Sequence, residues 1–299
     1  MFEPGPSLPS WLEAKLPFRR RLLRGGEHAL HFIDEGQGPE VLLLHGNPTW
    51  SFLWRKVIPP LVQAGCRVIA PDLVGLGLSD KPRSARVHTP EFHAGQLLRL
   101  VEELGLAQVV IVGQDWGGPI LGLAAARRPD LVAGAVFANT SLMAPRHARP
   151  LSSFHRLAYT PVLSDLAFRV LGFPFPILDR VQGDRRSIGP AEKRAYRYPV
   201  RRYADRVAPL ALARMVPSSP EHPSVPALQE AEAWAASYRG PVGLVWGMRD
   251  PILGRGLKAM RRLLPAAQVV ETAAGHFLQE EVAVEVASAV VAVVRASRA

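Results

Sequence analysis

The chain has 299 residues, 48% hydrophobic and 21% charged, an ordinary globular composition with ample apolar material for a large core. No apolar run approaches the roughly 20 residues a bilayer-spanning helix needs, and a single cysteine, Cys66, excludes an internal disulfide. The net charge is +10, but Arg146 to Arg214 holds 14 Lys/Arg against 5 Asp/Glu, scattered among apolar residues and without a nucleic-acid motif, so it reads as a solvated basic face that attracts anions at low salt.

The N-terminal stretch "MFEPGPSLPSWLEAK" lacks a basic region followed by an apolar one, so no signal peptide and a cytoplasmic location are expected. "HALHFID" (28–34), "VLLLHG" (41–46) and "RVIAPD" (67–72) read as strands. "FHAGQLLRLVEELGL" follows, with Leu97, Leu98, Val101 and Leu104 on one helical face. "QVVIVG" (108–113) and "VAGAVFAN" (132–139) are the next strands. Short apolar strands alternating with helices indicate βαβ units and a mostly parallel sheet covered on both faces. The alternation stops near Leu142: residues 145–220 show short helical patterns rich in Arg and Pro. "PVGLVWG" (241–247) and "AQVVETA" (267–273) then resume the strands, and "EEVAVEVASAVVAVVRA" reads as a closing helix with Val282, Val286 and Val290 in phase. The expected organisation is an α/β core over 1–143 and 218–299, interrupted by a helical cap over 144–217 that covers the carboxyl edge of the sheet.

The chemistry starts at "VGQDWGG" (112–118). This stretch has the strand–turn–helix setting of the G-x-S-x-G nucleophile elbow of α/β-hydrolases, with Asp115 in place of serine. The plain alternative is a helix-capping aspartate. Two further positions weigh against it. Asp250 follows the strand "GLVWG", and His276 follows "QVVETAAG", in the chain order nucleophile, acid, histidine. Asp250 holds one tautomer of His276, and His276 acts as base. The position after the fifth strand reads "FANTSLM" and offers no carboxylate. "HGNP" (45–48) sits where this fold builds its oxyanion hole, from the backbone N–H groups of Asn47 and Trp116. "PDLVGLGLSDKP" (71–82) is read as a structural loop. A carboxylate nucleophile is ionised at neutral pH without a base and forms an alkyl ester by attack on carbon. That step needs a leaving group that departs as an anion. Trp116 brings an indole N–H and Asn47 an amide NH₂ to hold it. Phe52, Phe277 and residues of "LGFPFPIL" (171–178) are candidate pocket walls, with Phe173 and Phe175 read as anchors of the cap.

Together "HGNPTWSFLWR", "PDLVGLGLSDKP", "VGQDWGG" and "AGHF" resemble the motifs of the haloalkane dehalogenases, in that family's order and over nearly the whole chain. The resemblance implies an α/β-hydrolase fold with Asp115 as nucleophile, His276 as base, Asp250 as the acid orienting it, and Asn47 with Trp116 as the halide-binding pair. It implies no metal or organic cofactor, and conversion of a halogenated hydrocarbon and water to a primary alcohol, a halide ion and a proton. Expected partners are that small molecule alone, with no nucleic acid and no membrane, in a monomer or weak homo-oligomer. Some relatives with the acid at this position take a halide donor from a cap tryptophan. Here the six tryptophans are 11, 50, 54, 116, 234 and 246, all outside 144–217. Two other readings stay open. An epoxide hydrolase shares the Asp nucleophile and His base but needs cap tyrosines as acid, and Tyr159, Tyr196, Tyr198 and Tyr203 are available, the last three reading as surface residues among arginines. A non-catalytic binding protein with the same fold is the other.

Overall fold

The computed structural model describes residues 1–148 and 150–299. Its centre is a nine-stranded sheet in the order β1-β2-β3-β5-β4-β6-β7-β8-β9. These strands are β1 (Phe2–Pro4), β2 (Arg20–Leu23), β3 (Leu30–Glu35), β4 (Glu40–Leu44), β5 (Arg67–Pro71), β6 (Val109–Gln114), β7 (Val132–Ala138), β8 (Val242–Gly247) and β9 (Gln268–Thr272). The first three and β5 pair antiparallel, and every pairing from β5 across to β9 is parallel. The seven strands read from the sequence are present within a residue or two. β1 and β2 escape that reading: "FEP" and "RRLL" are short segments at one end of the sheet without alternating polarity.

The helices are α1 (Ser10–Glu13), α2 (Ile58–Gln63), α3 (Pro90–Leu104), α4 (Gly117–Arg127), α5 (Ser153–Tyr159), α6 (Pro190–Arg197), α7 (Val207–Arg214), α8 (Val225–Ser237), α9 (Leu257–Leu263) and α10 (Ala283–Ala296). Local signals set their ends. Thr89 Oγ1 caps α3 by accepting from Phe92 N at 3.1 Å, Pro90 occupies the first turn, and Gly105 stops the helix at φ 62°. Val282, expected within the last helix, precedes it, while Val286, Val290, Val293 and Val294 are its buried face.

Alternate residues of the parallel strands feed two cores. Leu42, Leu44 and Ile111 join the layer containing α3, α4 and α8. Val41, Leu43, Val110 and Val112 join the layer containing α2 and α10. Burial on both faces is why these strands read as unbroken apolar runs. β5 lies on one side of β4 and β6 on the other, so the chain direction of winding reverses at β4. The loops leaving β4 and β6 therefore flank one crevice, where such sheets bind ligands. The chain between β7 and β8 carries α5, α6, α7, a π-helical stretch (Asp165–Val170) and several 3₁₀ stretches before α8 packs back on α4. No helix among the described residues is long and apolar enough to cross a membrane.

Candidate active site

Asp115 sits at φ 51°, left-handed backbone that an aspartate tolerates in a tight turn. The turn is held from below: Asp115 N donates to Asn139 O at 3.1 Å, and Thr140 Oγ1 donates to Asp115 O at 2.6 Å. A side chain at Gly46 would collide with the Asp115 carboxylate, and one at Gly117 with Leu44 O, so both glycines are what lets β4 and the elbow approach. The two carboxylate oxygens have different surroundings. Oδ1 accepts the backbone N–H of Asn47 at 2.8 Å, whereas Oδ2 lies 3.7 Å from His276 Nε2.

His276 is buried and donates from Nδ1 to Asp250 Oδ2 at 2.9 Å. A carboxylate only accepts, so the proton is on Nδ1 and the Nε2 lone pair faces Asp115. Burial by itself pushes His276 below its ordinary value. The charge and hydrogen bond of Asp250, with the Asp115 charge, more than offset that and hold it above. For Asp250, burial opposes ionisation, but His276, Asn139 and the N–H of Ile252 keep the carboxyl below its usual range. The structure thus brings Asp115, Asp250 and His276 into one line of contacts.

Two features of this line were not read from the sequence. "FANTSLM" lacks a carboxylate, but Asn139 from it donates to Asp250 Oδ2 at 2.6 Å and pairs with Gly247 through both its amide atoms at 2.7 and 3.1 Å. The acid after β8 is therefore positioned by the residue after β7. The second is a strap on the histidine loop. Glu281 accepts from Gly275 N at 2.9 Å, Gly183 N at 3.0 Å and Asp184 N at 2.7 Å. Gln182 pairs with both backbone groups of Phe277 at 2.9 and 3.1 Å, and His276 N donates to Val181 O at 2.8 Å. Segment 181–184, from between β7 and β8, is in this way fastened on both sides of His276.

Asn47 and Trp116 both face the site, and both are engaged by α7. Asn47 Nδ2 donates to Pro209 O at 3.0 Å and Trp116 Nε1 to Leu212 O at 3.1 Å. The amide keeps a second N–H for another acceptor, whereas the single indole N–H must exchange its carbonyl for one. Behind this turn, "PDLVGLGLSDKP" is structural as read. Burial disfavours the charge on Asp72, yet His31, His45 and the N–H of Leu78 hold it at about 2. Its oxygens also bind Ser51 N at 2.6 Å. His45 accepts from Leu73 N and donates to Gly46 O, fixing the "HGNP" turn.

A cavity of about 680 Å³ opens above Asp115. Asn47, Trp116 and His276 form its polar end, and Phe154, Leu157, Phe173, Ile177, Leu178, Val216 and Phe277 supply apolar wall. Phe277 lines it as expected. Phe52 does not: it stacks on Trp50 and lies under Arg55, because the 3₁₀ turn after "HGNP" turns it into the core. Phe173 is a wall as well as an anchor, and Phe175 is core alone. None of the tyrosines reaches the cavity. Tyr196, expected on the surface, is fully buried and donates to Glu280 at 2.6 Å, beside the Arg55–Glu280 pair. Tyr159 is tied to Arg214 O and His222. Among the described residues no cluster of three or more His, Cys, Asp or Glu side chains is arranged to hold a metal ion.

A parallel sheet reversing at β4, with an elbow after β6 and the Asp and His after β8 and β9, defines an α/β-hydrolase, and the family model described as "alpha/beta hydrolase fold" matches residues 39–165. Within that class, a haloalkane dehalogenase of Mycobacterium marinum is 36% identical over 88% of this chain and 87% of its own. Haloalkane dehalogenase 2 of Mycobacterium tuberculosis is 33% identical over 97% of both. The crystal structure of haloalkane dehalogenase DbeA from Bradyrhizobium elkani superposes with a TM-score of 0.83 at 27% identity, covering 94% of this chain and 99% of that one. The chain belongs to the haloalkane dehalogenase family.

Proposed function

We propose that the protein hydrolyses haloalkanes through a covalent ester on Asp115. Oδ2, the oxygen free of the Asn47 N–H, attacks the halogen-bearing carbon. The C–O bond forms as the C–X bond breaks, and the halide leaves with the bonding pair. Trp116 Nε1–H and the spare N–H of Asn47 stabilise the developing anion. His276 then takes a proton from water through Nε2, and the hydroxide attacks Asp115 Cγ. Negative charge collects on Oδ1, beside the Asn47 N–H already 2.8 Å away. Collapse breaks the bond from Cγ to the substrate oxygen, the departing alkoxide takes the remaining hydroxyl proton and leaves as a primary alcohol, Asp115 is a carboxylate again, and the first water proton leaves from His276. Asp250, held by Asn139, keeps the imidazole in the required tautomer, and segment 144–217 serves as the cap that closes the apolar cavity. The substrate is a small halogenated hydrocarbon, and no cofactor enters any step.

The observation that carries this reading is the split environment of Asp115, one oxygen accepting the Asn47 N–H and the other 3.7 Å from His276 Nε2. Against epoxide opening, each tyrosine is engaged away from the cavity, so the ring oxygen lacks an acid. The test is incubation with 1-bromobutane or 1,2-dibromoethane and, separately, styrene oxide. Halide release is expected from the first two. Diol formation without halide release would overturn the proposal, and binding without turnover across a broad panel would make the protein a receptor.

A further inference from the structure

Seven of the eleven exposed large hydrophobic side chains among the described residues lie between Tyr159 and Tyr203. Five of them, Val162, Leu163, Leu166, Val170 and Leu171, fall in ten residues that run from the turn at 161–162 through the π-helical stretch Asp165–Val170. Val162 is 78% exposed at the tip, at φ 64°, a conformation a β-branched residue rarely adopts. The ridge rests on a small core of its own, Ala158, Phe168, Leu210 and Ala213, whose flank of Phe154, Leu157 and Phe173 is cavity wall.

A basic strip runs beside the ridge. Arg206 Nη1 donates to Arg169 O and Val170 O, and its Nη2 to Arg201 O, which fixes 169–170 against 201. Arg169 covers Tyr203, and Arg197 lies against Gly172. Arg194, Arg197, Arg201 and Arg202 are exposed, and among the described residues none pairs with a carboxylate, unlike Arg169 and Lys193. Three of them border a surface groove of about 610 Å³ whose floor includes Trp11 and Tyr198, with Arg194 and Arg201 over those rings at 4.1 and 4.4 Å.

We propose that this face docks peripherally on an anionic lipid bilayer, the ridge entering the interface while Arg194, Arg197, Arg201 and Arg202 meet headgroup phosphates. A second copy of the chain is disfavoured, because a two-fold contact sets one arginine strip against another. A nucleic acid matches the charge but leaves the aliphatic ridge in water. An anionic bilayer satisfies both halves. Peripheral docking needs no spanning helix, so it revises the expectation of no membrane partner. It also places the cavity one layer of side chains from the phase into which apolar halides partition, a consequence that rests on the proposed function although the docking does not.

The test is flotation with vesicles of phosphatidylcholine alone and of phosphatidylcholine with phosphatidylglycerol. The protein is expected to float only with the anionic vesicles and to be released by high salt. Arg197→Glu/Arg201→Glu/Arg202→Glu should lower partitioning about a hundredfold or more, at roughly fivefold per basic residue. Leu163→Asp/Leu171→Asp should abolish it, with unchanged thermal melting and soluble-substrate turnover in both variants. Absence of flotation, or flotation equal in the arginine variant, overturns the proposal. So does a wild-type dimer in gel filtration that Leu171→Asp dissolves, which would give the ridge to a second copy.

Discussion

Replacing Trp116 with Phe removes one N–H from the site and keeps an aromatic ring. A donor aimed at developing negative charge is worth about 10²–10³ in rate. The indole N–H already donates to Leu212 O at 3.1 Å, so only the difference between carbonyl and halide is lost, and the lower figure, about a hundredfold, is expected. Stability should change less. Leu212 O keeps a bond from Met215 N at 3.2 Å and is not orphaned, leaving a cost of about 1–2 kcal/mol for the hydrogen bond and the smaller ring. Single-turnover halide release from matched alkyl bromide and chloride measures the step directly. The loss should be steeper for chloride, whose charge is more concentrated. Asn47→Ala should act on the same step, and the two losses should not add, because both donors serve one anion. An unchanged cleavage rate in a folded Trp116→Phe protein would refute the donor role.

Only the second step needs neutral His276. Hydrolysis of the ester should therefore fall as pH drops through the His276 pKa, while halide release persists. Alkylation removes the Asp115 charge, one of the groups raising that pKa, so the limb in the intermediate should lie below that of the resting enzyme. Asp250→Asn should lower it further and cost up to about 10⁴ in turnover, which pH-dependent quench-flow checks. Glu281→Gln weakens three N–H contacts around the histidine loop and should cost about 2 kcal/mol of stability, slowing ester hydrolysis while sparing the halide burst. His88 lies against His93, and burial, then His28, depresses it to about 4. Its unfolded value is about 6.5, so the unfolded chain binds more protons between these values and stability falls as pH falls from about 6.5 toward 4. His88→Gln should flatten that decline in pH-dependent thermal melts.

The centre of the fold was legible because β4 to β8 are buried on both faces, and continuous apolar runs such as "VLLL" and "VVIV" have few alternatives. Asp115, Asp250 and His276 could be picked out because each follows such a strand. Their meeting depends on register, Leu44 opposite Gly113 and Gly247 opposite Thr272, which spacing along the chain does not encode. Asn139 carries no carboxylate and so gives no acid signal at its position, and its contact with Asp250 spans 111 residues. Glu281 and Gln182 meet the histidine loop across a long insertion with no strand to set its phase. Tyr196 lies in an arginine-rich stretch that looks like surface, and its burial follows from the Arg55–Glu280 pair beneath it.

A single turnover in oxygen-18 water, with excess enzyme over 1-bromobutane, tests the covalent route most directly. Water that attacks Asp115 Cγ leaves its oxygen on the enzyme. The first-turnover alcohol is predicted to carry ordinary oxygen, and the peptide containing Asp115 to gain one heavy oxygen by mass spectrometry. Label in the first alcohol with Asp115 unlabelled would mean water attacks the carbon itself, and the ester on Asp115 would have to be abandoned.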